Sequence, residues 1–183
     1  LRITPMVKLT DFAGATNITP DVTRQLTLNE VMGMNEEGEE TGPLMVLLNN
    51  SRYEEIPDMP EMFGTPTEKP LEGTTEKWQL INTTVDAHPM HMHLVQFQLV
   101  SRQNFDTLTY MPVYRSSFDG GKYKPATGPP NPYDEINDDG AVGGNPAISE
   151  YLDDAIPANP NERGWKDVIV AYPGQVTTYM VRL

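Results

Sequence analysis

Cysteine is absent from the 183-residue chain. That excludes disulfides, thiolate nucleophiles, iron–sulfur clusters and cysteine-held zinc. Basic residues are scarce: 13 Lys and Arg stand against 26 Asp and Glu, a formal net charge of −13. The deficit argues against a nucleic-acid partner, because affinity for a phosphate backbone rests on Lys and Arg. No apolar run approaches the roughly 20 residues that cross a bilayer as a helix. No phosphate-binding glycine loop, paired catalytic carboxylates or Ser-His-Asp set stands out. Histidine is nearly absent too, with three residues, all within positions 88–93, so hydrolase chemistry lacks its usual base elsewhere. The chain opens Leu1-Arg2-Ile3-Thr4-Pro5, with neither an initiator Met nor the shape of a secretory leader, so a processed or excised piece is expected.

What is present suffices for a folded domain. Hydrophobic residues make up 38% of the chain, and a chain of this size buries roughly 70% of its unfolded surface. One domain over 1–183 is expected, with 1–23 as a linker or leading segment. Short strands are read at 24–30, 44–48, 77–83, 90–101, 168–172 and 176–183, with Tyr172-Pro173-Gly174-Gln175 as a type II turn. Residues 106–164 hold 8 of the 17 prolines and 7 of the 14 glycines, which marks a long loop insertion, with a short helix at 150–155. Many short strands and almost no helical periodicity predict an all-β sandwich or barrel. The chain stops inside its last strand. Ending there, a sandwich is expected to expose an unpaired apolar edge and to need further polypeptide.

The three histidines, in Ala87-His88-Pro89-Met90-His91-Met92-His93, point to a metal, since neutral imidazole suits zinc, copper, iron and nickel. On a strand, His91 and His93 share one face, which continues as Val95, Phe97 and Leu99. His88 has the opposite parity, and Pro89 biases it towards an extended conformation. Three histidines on two faces predict two neighbouring centres rather than one. A cupin is disfavoured because Gln96 and Phe97 stand where a glutamate is needed.

His88-Pro89-Met90-His91-Met92-His93-Leu94 resembles the His-Pro-x-His-x-His motif of the multicopper oxidases. The flanks agree: residues 73–82 resemble the strand before that motif and 97–106 the strand after it. Gly164-Trp165-Lys166-Asp167 with Pro173-Gly174 resembles the approach to the family's last copper motif, and Val46-Leu47-Leu48-Asn49-Asn50 matches in style. The likeness is closest to the spore-coat laccase and bilirubin oxidase branch. It implies a cupredoxin-like Greek-key sandwich, the last of three such domains. It also implies His88 on a type 1 copper, His91 on the type 2 copper and His93 on a type 3 copper. The implied activity couples one-electron oxidation of a phenol, pigment or metal ion to four-electron reduction of O2 to water. A type 1 centre also needs a cysteine, and this chain has none. The implied partners are therefore the rest of the oxidase: the N-terminal cupredoxin domains and a His-Cys-His segment after Leu183. An extracytoplasmic or spore-associated location is suggested by the resemblance alone. Two other functions stay open at this point: a copper-poor cupredoxin-like binding module, and one metal held by all three histidines.

The remaining features favour plain structural roles. Ten methionines, among them Met59, Met62, Met90 and Met92, suit core filling better than soft-metal binding. Residues 135–140 resemble the start of an EF-hand loop, but Pro146 occupies the required Glu position, leaving a solvated acidic turn. Residues 36–40 are a second acidic turn. Asn17, Asn49 and Asn82 head glycosylation sequons.

Overall fold

A computed structural model describes residues 19–53 and 66–183. Met59, Met62 and Asn17 lie outside these residues. The chain folds as a cupredoxin-like β-sandwich of one large and one small sheet. β1 (Val22–Met34), β2 (Glu40–Leu48), β3 (Thr75–Asn82), β9 (Gln175–Arg182), β5 (Phe97–Asn104) and the short β6 (Ile156–Pro157) make the large sheet in the spatial order β2-β1-β3-β9-β5-β6. A short β7 (Trp165–Lys166) also pairs with β5. β1 and β3 run parallel, with Leu26 opposite Leu80; the other pairs are antiparallel. The small sheet pairs β4 (His88–His91) with β8 (Val168–Ala171).

Alternation places Leu26 and Leu28 of β1, Leu80 of β3, Phe97 and Leu99 of β5, and Tyr179 and Val181 of β9 on the inner face. They pack against Ile169 and Ala171 of the small sheet. Full burial of each large side chain contributes about 1.5–3 kcal/mol. The outer face is covered as well. α1 (Thr107–Ser116) lays Tyr110 and Tyr114 with Phe118 and Ile148 over Ile81 and Val176. Covering both faces explains why β1 and β9 bury consecutive residues instead of alternate ones.

Four expectations are corrected. The strand read at 90–101 is two strands in different sheets. After His91 the chain turns a corner in which Leu94 takes φ 68° and is fully exposed, and β5 starts only at Phe97. The helix at 150–155 is instead one tight 3-10 turn over Ser149–Tyr151, after which Leu152 is extended. α1 lies within residues read as loop. Asp106 caps it by accepting from the Thr109 N–H at 3.1 Å. The last strand is not an edge: β9 is hydrogen-bonded to β3 on one side and β5 on the other. Among the described residues an apolar edge lies at β2, where Leu44 and Val46 are 69% and 58% exposed.

The 106–164 segment is tied to β1 by main-chain bonds. Gln25 N–H donates to Val142 O at 2.8 Å and Val142 N–H to Thr23 O at 2.9 Å. Gly143 makes this approach possible at φ 124°; a Cβ there would lie 2.0 Å from Gln25 O. Asp139 is no free acidic turn: it accepts from Gln25 Nε2 and from the N–H groups of Ile148 and Ser149. The sequon residues Asn49 and Asn82 are buried in hydrogen-bond networks rather than presented to solvent.

Candidate metal centre

β4 carries two of the histidines on opposite faces. Its four residues pair in continuous register with β8, His88 opposite Ala171 and His91 opposite Val168, so the extended conformation runs unbroken through Pro89. His88 and Met90 point one way and His91 the other.

The His88 side chain is 13% exposed. Its Nε2 lies 2.7 Å from Thr84 Oγ1 and 3.5 Å from Glu30 Oε1. The threonine hydroxyl has its own acceptor in Asn82 Oδ1 at 2.8 Å, and a carboxylate only accepts. Nε2 therefore carries the proton, and Nδ1 keeps the lone pair. Asn82 organises this corner. Its Nδ2 donates to Asp86 O and Ala171 O, while its Oδ1 accepts from the backbone N–H and hydroxyl of Thr84.

His91 has the reverse arrangement. Its Nδ1 is 2.8 Å from Asp167 O, a carbonyl that only accepts, so the proton sits on Nδ1 and Nε2 is free. The same carbonyl receives the Met92 N–H at 3.0 Å. His93 lies in the corner after β4. The pleat that was to align it with His91 is gone, yet the two rings meet edge to face with centroids 4.9 Å apart. Both rings are exposed and line the mouth of a cavity of about 220 Å³ floored by Trp78, Leu80, Phe97 and Tyr179. A separate cavity of about 660 Å³ beside Arg24 and Glu76 is lined by no histidine.

Among the described residues no three His, Cys, Asp or Glu side chains gather to hold one ion. The donor set nevertheless fits copper: imidazole is a copper ligand, and His88 and His91 are each fixed by a bond at one ring nitrogen that leaves the other for a metal. Met90 and Met92 pack against the core. Sequence reasoning overlooked Glu30, Asn82, Thr84 and Asp167. Asn82-Thr83-Thr84 carried a signal, because Asn two residues before Thr is a side-chain turn pattern, but it was read as a sequon. Glu30 carried none.

Fold and site define a cupredoxin-like domain with a histidine-rich end. The multicopper oxidase family model matches residues 39–183, and the chain belongs to the multicopper oxidase family. It is 33% identical over 138 residues to the laccase of Bacillus subtilis (strain 168), covering 75% of this chain and 19% of that protein. It is 28% identical over 176 residues to the multicopper oxidase LPR1 of Arabidopsis thaliana, covering 96% of this chain and 24% of that protein. A solved multicopper oxidase from Campylobacter jejuni, titled a metallo-oxidase, matches with a TM-score of 0.44 at 17% identity, over 91% of this chain and 25% of that one. The chain thus spans about a fifth to a quarter of the length of these relatives.

Proposed function

We propose that this chain is the part of a laccase-type oxidase in which His88 ligates a type 1 copper through Nδ1, His91 a type 2 copper through Nε2, and His93 a type 3 copper. The observation that carries the reading is the opposed commitment of the two β4 histidines. His88 is tied down at Nε2 and His91 at Nδ1, on opposite faces of one strand. Bound copper would supply one-electron acceptance at the first centre and O2 reduction to water at the others, with phenols, pigments or metal ions as reducing substrates. This chain's own contribution is to fix the rings. Thr84 and Asn82 hold His88. The Asp167 carbonyl orients His91, and β4 keeps both rings at one end of a close-packed sandwich. The cysteine and the remaining ligands come from other polypeptide of the same oxidase.

Metal analysis and the visible spectrum of the assembled protein test this. Copper with a blue absorption band supports the reading. A folded protein that takes up no copper would mean a cupredoxin-like module without redox chemistry, and a single zinc would mean one mononuclear site; either result overturns it.

A further inference from the structure

Glu30 is out of place by the usual rules of burial. It stands on β1, its side chain 6% exposed, and among the described residues its ion-pair partner is an imidazole, His88 Nε2 at 3.5 Å, rather than a Lys or Arg. A carboxylate removed from water is costly unless a positive group compensates it, and a neutral imidazole N–H compensates poorly. Thr84 already satisfies Nε2 at 2.7 Å, so orientation of the ring alone does not require the acid. The arrangement becomes favourable when the other ring nitrogen carries a cation. Metal at Nδ1 would place positive charge on the ring, and the carboxylate 3.5 Å from Nε2 would then be compensated by it.

We infer that Glu30 is a positioning residue for the metal on His88, and that its negative charge, one imidazole away, favours the oxidised over the reduced ion. The inference rests on His88 being a type 1 ligand. The sign follows from charge: a nearby anion stabilises Cu(II) more than Cu(I), which lowers the reduction potential. Arg115 and Glu40 line the same cavity of about 170 Å³ as Glu30. They stand on other elements, α1 and β2, so each can be changed separately.

The test is a redox titration of the blue centre in the assembled oxidase, comparing wild type with Glu30→Gln, an isosteric change that removes the charge. The blue band should persist, and the Cu(II)/Cu(I) equilibrium should move about tenfold towards Cu(I), which is about 59 mV upward for one electron. Glu30→Asp, which keeps the charge but withdraws it by one methylene, should shift the potential the same way by less. It also serves as the deciding variant if the glutamine form does not fold. An unchanged potential in the variant that folds, with the blue band intact, overturns the inference and leaves the ligand assignment standing. No blue centre in the wild type, or one that survives His88→Ala, overturns both.

Discussion

Replacing Asn50 by alanine tests how the 106–164 segment is fastened to the sheet. Asn50 is 0% exposed at the end of the β1–β2 hairpin. Its Nδ2 donates to Lys124 O at 2.8 Å and Gly128 O at 2.6 Å. Its Oδ1 accepts from the Tyr123 hydroxyl at 2.9 Å and the Ala126 N–H at 3.2 Å. One side chain thus makes four bonds to a loop more than 70 residues away in sequence. Each is worth about 0.5–1.5 kcal/mol net, and water re-enters part of a surface loop, so the loss is about 2–4 kcal/mol. Asn50 also sits at φ 54°, a left-handed conformation that costs alanine roughly 1 kcal/mol more. Asn50→Gly should escape that second cost and retain the first. Urea unfolding measures both differences, and amide exchange should show loosened protection over 122–128 with β3 and β9 unaffected. A loss below about 1 kcal/mol for Asn50→Ala would refute the clamp, since it would fall short of even two such bonds at their weakest.

Two further predictions concern stability. Gly143→Ala should destabilise as strongly as a core lesion, by about 3 kcal/mol or more, because its Cβ would meet the backbone oxygen of Gln25 and no side chain can move aside; near-neutral denaturant unfolding would contradict the docking described for β1. Glu162 has its carboxyl held below the ordinary 4.5, chiefly by hydrogen bonds from Arg102. The folded state therefore binds fewer protons there than the unfolded chain. Its stabilising contribution is complete above pH 4.5 and is lost as pH falls through the lowered value. Glu162→Gln should flatten that part of the acid-unfolding profile, and an unchanged slope would sink the pairing.

The sandwich is legible in the sequence wherever burial follows a strand's own pattern. Residues 77–83 and 168–172 fall within one residue of β3 and β8 at their C-terminal ends, and the Pro173-Gly174 turn closes as expected, with Gln175 N–H donating to Tyr172 O at 3.2 Å. Where tertiary context overrides local preference, the sequence is silent. Nothing in Met92-His93-Leu94-Val95 announces a corner; a leucine at φ 68° is tolerated because the chain must pass from the small sheet to the large one. α1 carries Pro112 and a mixture of Thr, Val and Tyr of modest helix propensity. It is held by its Asp106 cap and by burial of Tyr110 and Tyr114, which only the folded sheet provides. The histidine cluster is legible by density alone. Thr84, four residues from His88, is within local reach; Glu30 and Asp167 are not, because they lie 58 and 76 residues from the rings they touch.

The central claim is that His88 and His91 serve different centres. Paired absorption and electron paramagnetic resonance spectra of His88→Ala and His91→Ala in the assembled, copper-loaded oxidase test it most directly. The account predicts that the first variant loses the blue band and its narrow hyperfine signal but keeps the remaining copper, while the second keeps the blue centre and loses O2 reduction. Identical spectral losses in both variants would contradict it.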